Sequence, residues 1–110
     1  MSEFNFKDIR ETQSFKRGDY LYTKVAEKDG WYLFHMEPIS EELKGNVHYL
    51  NYEIVKAKPQ YGVQVYPPSA EFGVYGFYFC GTPEIIRKNM EKRAKMKGWD
   101  WSYFYPLVGA

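Results

Sequence analysis

Three features of the chain predict an α+β fold, a twisted antiparallel sheet of about five strands with one C-terminal helix packed on it. Short runs rich in aromatic and β-branched residues alternate in polarity as far as Cys80 and are separated by turn residues. A capped, amphipathic helix follows them. The chain has 110 residues, which suits a single domain covering 1–110, because two cores would each fall below the size that folds unaided.

The first strand pair is Asp19–Val25 with Trp31–Met36. Asp29-Gly30 between them supplies the positive φ that a primed hairpin turn requires. Leu21, Thr23 and Val25 share one face, and Tyr20, Tyr22 and Lys24 the other; in the second strand Trp31, Leu33 and His35 alternate with Tyr32, Phe34 and Met36. Pro38 ends that strand, and Ile39–Asn46 is a polar excursion in which Ser40 is placed to cap one helical turn. A third strand, Val47–Lys58, carries His48, Leu50, Tyr52, Ile54 and Lys56 on one face and Tyr49, Asn51, Glu53, Val55 and Ala57 on the other. Pro59-Gln60-Tyr61-Gly62 reads as a turn, Val63–Tyr66 as a short fourth strand and Pro67–Gly73 as an ordered loop. Tyr75–Cys80 is apolar on both faces and is therefore expected at a central or covered position.

Thr82 is placed as N-cap of the helix, Pro83 at its first position and Glu84 against its dipole. Lys97-Gly98 gives a basic last turn and a glycine stop. Ile85, Ile86, Met90, Ala94 and Met96 fall on one half of the helical wheel, with the aliphatic stems of Arg93 and Lys97 on the same half. The tail Trp99–Val108 alternates around an aromatic run, which leaves a further strand and a packed coil both open.

Upstream, Phe15-Lys16-Arg17-Gly18-Asp19-Tyr20-Leu21-Tyr22 places a hydrophobe and a Gly-Asp pair before an alternating strand. Over these residues the chain resembles the opening of SH3-like small barrels, in which Gly-Asp turns the chain into the first barrel strand. The resemblance implies a sheet rolled part-way into a barrel, and no functional residue is carried from it. The adhesion tripeptide Arg17-Gly18-Asp19 is explained by a tight turn before a strand.

The formal net charge is +1, which argues against a dedicated nucleic-acid packager and against an acidic DNA mimic. No apolar run approaches the roughly 20 residues of a membrane-spanning helix, so no membrane partner is expected. Met1–Asp8 lacks the pattern of a secretory signal, and the lone Cys80 fits a reducing cytoplasm.

Aromatic content is what demands explanation, with 3 Trp, 11 Tyr and 8 Phe making 20% of the chain. One helix covers only one face of a small sheet, yet the aromatics occur on both, so some tyrosines are expected at the surface, where they also serve binding. The best-placed set is Tyr66, Phe72 and Tyr75, around a loop that Pro67 and Pro68 preorganise, with Phe72 as anchor. The competing reading tucks Phe72 into the core. A second set is basic. The helix has six basic against two acidic side chains, net +4, leaving nine against twelve elsewhere, net −3. Arg87, Lys88, Lys92 and Lys95 on its outward face, with neighbouring tyrosines, would suit single-stranded nucleic acid, but that face also includes Glu84 and Glu91, so a merely solvated face is the preferred reading.

Nothing in the sequence assembles catalytic residues, and no cofactor or metal is expected. His35, His48 and Cys80 are the only imidazole or thiol ligands, and no pair of them has a short ligand spacing. Cys80, just before the helix N-terminus, is the one position where chemistry would be sought; a buried, apolar thiol at a strand end is the expectation. Gly73-Val74-Tyr75-Gly76 precedes a strand and not a helix, unlike a phosphate-binding loop.

The expected function is therefore non-catalytic: a cytoplasmic recognition module that binds a protein partner through an aromatic surface. Small single-domain chains without motifs are frequent among phage and mobile-element accessory proteins that inhibit a host protein, which makes such an inhibitor the expected type. The alternative is a nucleic-acid-binding module.

Overall fold

The computed structural model describes residues 8–39, 50–60, 63–65, 73 and 76–109. Five strands form one antiparallel sheet: β1 (Ser14–Arg17), β2 (Tyr20–Lys28), β3 (Trp31–Pro38), β4 (Leu50–Lys56) and, beyond a separate ribbon, β7 (Gly76–Gly81). Their order across the sheet is β1-β2-β3-β4-β7, with β1 and β7 at its two edges, so it is open and not a closed barrel. The ribbon pairs β5 (Lys58–Gln60) with β6 (Val63–Val65). Helix α1 (Pro83–Lys97) and a coil containing one 3-10 turn (Tyr105–Leu107) complete the domain, an α+β arrangement.

Both hairpins at the start of the sheet obey local chemistry. Arg17 pairs with Tyr20, so Gly18-Asp19 is a two-residue turn with Gly18 at φ 61°, which accounts for the Arg-Gly-Asp tripeptide. Lys28 pairs with Trp31, and Asp29 and Gly30 both take positive φ, 53° and 85°. The β2–β3 register shifts between Lys24 and Ala26, leaving Val25 as the extra residue of a bulge and 39% exposed.

Four expectations about the elements need correction. The edge strand β1 is a further member of the sheet, beyond the strands expected from periodicity. The short strand at Val63 is not a member; it pairs with β5, and Pro59 lies inside β5 rather than in a turn. A two-stranded ribbon leaves each strand a free edge, where proline's missing donor is tolerated. The strand ending at Cys80, expected central or covered, lies at the edge and is covered by α1 on one face only, with Tyr78 and Cys80 exposed on the other. Lastly, α1 buries a narrower stripe than its wheel suggests: Ile86, Met90 and Ala94 are buried, while Ile85 and Met96 are 47% and 69% exposed.

Each face of the sheet carries its own apolar cluster. On the helix-bearing face, Trp31 and Leu33 of β3, Tyr52 and Ile54 of β4 and Phe77 and Phe79 of β7 meet Ile86, Met90 and Ala94 of α1. The C-terminal coil adds Trp101, Phe104 and Val108, all buried, so the aromatic run is a packed coil and not a strand. On the second face Tyr22, Tyr32, Phe34, Met36 and Val55 gather with Ile9. The turn holding Ile9 is fastened by the Lys24 ammonium, which donates to the carbonyls of Ile9 (2.6 Å) and Arg10 (3.2 Å). Tyr22 and Tyr32 are thus buried, while Tyr78 and Tyr103 are among the tyrosines left at the surface.

Candidate recognition surface

Helix α1 is fixed at both ends by its own sequence. The Thr82 hydroxyl accepts from the Ile85 amide at 3.4 Å, and Gly98 takes the left-handed conformation that closes the last turn. Two further anchors set its position. Arg87 donates to the Val108 carbonyl at 3.2 Å, and a Cβ on Gly109 would lie 2.7 Å from Pro83 Cγ, so the coil passes against the helix start where only glycine fits. Across the sheet, the Gly109 amide donates to the Tyr52 hydroxyl at 3.0 Å.

So placed, α1 forms one wall of a groove of about 440 Å³ lined by Asn89, Lys92, Arg93 and Met96, with Tyr78 and Phe79 of β7 opposite. Tyr78 and Phe79 point to opposite faces of the sheet, so a groove touching both runs along the sheet edge. At the far end Ile85 lies over Gly81, where an added Cβ would meet Ile85 Cγ2 at 3.2 Å. At the near end the Arg93 guanidinium stands 5.3 Å from the Phe77 ring centroid, and Phe77 is 5.3 Å from the half-buried Trp99. Two of the large exposed hydrophobic residues, Tyr78 and Met96, line this groove, and a third, Ile85, stands one helical turn before Asn89 on the same flank of α1.

The basic residues of α1 divide by position. Lys88 and Lys92 are exposed, whereas Arg87 is drawn to Val108 and Lys95 pairs with Glu91 at 3.1 Å. Of the four outward basic residues only Lys92 lines the groove, joined there by Arg93, which the wheel had assigned to the apolar half. Tyr66, Phe72 and Tyr75 lie outside the described residues, as does His48.

Elsewhere the chemistry is sparse. Cys80 is exposed, contrary to the expected buried thiol, because it occupies the second face of an edge strand. His35 lies opposite Tyr52 on the helix-bearing face, so the sheet separates it from Cys80. Among the described residues no three His, Cys, Asp or Glu side chains converge as metal ligands. His35 lines a cleft with Thr23, Glu37 and Leu50, and burial holds its imidazole below the ordinary histidine range. On the second face Glu53 is 5% exposed, and the Tyr22 hydroxyl donates to it at 3.4 Å. Tyr78 donates to Asn51, and partial burial, with Cys80 beside it, pushes its hydroxyl up.

In the sequence Met96 reads as part of the buried half of α1 and nothing marks Tyr78 or Asn89, since only the position of β7 at the edge brings the three together. Among the described residues no helix is long and apolar enough to cross a membrane. Comparison with protein-family models, curated proteins and solved structures finds no match to the chain.

Proposed function

We propose that the chain is a non-catalytic recognition module of the cytoplasm that binds an acidic protein partner through the groove between α1 and β7. One observation carries this reading: exposed Tyr78 and Met96 line a single groove whose charged lining, Lys92 and Arg93, is wholly basic. Apolar anchors within a polar rim are the ordinary anatomy of a protein interface. Inhibition of a host protein, by occupying an acidic surface on it, is the biological role in keeping with a small chain of this type.

A photo-crosslinking side chain at Asn89 tests the assignment against the same probe at Lys16 on the opposite edge, in lysate of the native host. Cross-linking to one protein from Asn89 alone, lost with Met96→Asp, is the expected result. Equal labelling from both positions would overturn it. Single-stranded nucleic acid is the second reading, since Lys92 and Arg93 stand beside an exposed tyrosine. It requires oligonucleotide binding that weakens steeply as salt rises.

A further inference from the structure

We propose that the open edge of β7 is completed by an extended acidic segment of the partner, which joins the sheet as a sixth strand with its carboxylates toward Lys92 and Arg93. This rests on the protein-recognition reading above and adds the mode of binding to it.

The two edges of the sheet differ in how they are protected. An exposed strand edge offers unpaired backbone donors and acceptors, and natural edges are kept short or charged against unwanted pairing. The β1 edge follows that rule, with four residues of which Lys16 and Arg17 are basic. The β7 edge does not. Its six residues, Gly76-Phe77-Tyr78-Phe79-Cys80-Gly81, include no charge and no proline, and among the described residues β4 is their only ladder partner. Beside this edge runs the groove described above, with a helix as its far wall. A strand edge facing a helix across a groove is a setting in which an extended peptide gains main-chain hydrogen bonds from the edge and side-chain specificity from the walls.

Charge selects the occupant. Lys92 and Arg93 line the groove, while Glu84 and Glu91 fall on the opposite flank of α1 at about 100° per residue. A second copy of this chain pairing β7 to β7 would bring two helices of net charge +4 beside one interface, which disfavours it. An acidic strand removes that repulsion.

Random peptides displayed on phage and selected on the immobilised intact chain supply an unbiased probe. Selected peptides, resynthesised, are expected to be rich in Asp and Glu and to bind one to one. They should slow hydrogen exchange at the amides of residues 76–81. Methylation of alternate peptide nitrogens, and Lys92→Glu in the chain, should each weaken them at least about tenfold, the variant melting like the parent. Binding in the groove that N-methylation leaves intact would overturn strand addition while leaving protein recognition standing. Failure to select any peptide, or selected peptides protecting no amide of 76–81, would overturn strand addition as well. Oligonucleotide binding in place of peptide would overturn both readings, and a dimer with amides 76–81 protected would assign the edge to a second copy.

Discussion

The Arg93 guanidinium stands over the ring of Phe77, 5.3 Å from its centroid, and so ties the flank of α1 to the strand at the sheet edge. A solvent-exposed cation held over an aromatic ring contributes about 0.5–1 kcal/mol. Arg93→Ala is expected to lose that amount in chemical denaturation. Lys95→Ala removes only the exposed pair with Glu91 and should cost no more than about 0.5 kcal/mol. Equal losses from the two variants would show that the ring contact adds nothing.

Met90 and Met96 lie on the same helix and in opposite environments, 0% and 69% exposed. Met90→Ala should therefore cost about 2–5 kcal/mol, and Met96→Ala less than about 0.5 kcal/mol. Met90→Asp would place an unpaired charge in the core and abolish the folded state at ordinary temperatures. A thermal melt of Met90→Asp that matches the parent would refute the docking described for α1.

Acid should weaken the fold through His35. Burial, against a smaller opposing effect of Glu37, lowers its pKa from the ordinary 6.5. A depressed folded value means that the unfolded chain takes up the proton first. The contribution of neutral His35 is thus complete above about pH 6.5 and lost as pH falls through the folded value. His35→Gln should accordingly flatten the stability profile between about pH 7 and pH 5. Parallel profiles for parent and variant would contradict the assignment.

At the alkaline end Tyr22 and Tyr32 act in the other direction. Burial, aided by Glu53 for Tyr22 and by Glu27 for Tyr32, pushes each hydroxyl up to about 12. A raised folded value means that their contribution is complete below the unfolded value of 10.0 and disappears as pH rises through about 12. Ultraviolet titration of the tyrosinates should show a late-ionising class, diminished by one group in Tyr22→Phe and by one in Tyr32→Phe. Its persistence unchanged in both variants would assign the late class to other tyrosines.

Features written into contiguous residues were legible before the structure. Thr82, Pro83 and Gly98 set the bounds of α1 because capping is local, and Asp29-Gly30 set the β2–β3 hairpin for the same reason. Partner choice between strands is not local, which is why nothing in Val63–Val65 says that it pairs with β5 outside the main sheet, and nothing in Ser14–Arg17 says that it joins that sheet. Periodicity likewise marks an apolar half of a helix without giving the width of the surface it meets; the sheet reaches only Ile86, Met90 and Ala94. The groove was hidden for a related reason. Tyr78 sits in a run apolar on both faces, which reads as interior, and only the strand order puts it at an edge.

The coil that supplies Trp101, Phe104 and Val108 also dictates when this domain can mature. Strands β1 to β4 are made first, and they leave the ribosome with Trp31, Leu33, Tyr52 and Ile54 still lacking their cover. Helix α1 brings Ile86, Met90 and Ala94 to that face first, and the coil completes the cover only once residue 108 has emerged. A chain lacking the coil therefore keeps part of an apolar sheet face bare, the kind of surface through which incomplete chains associate.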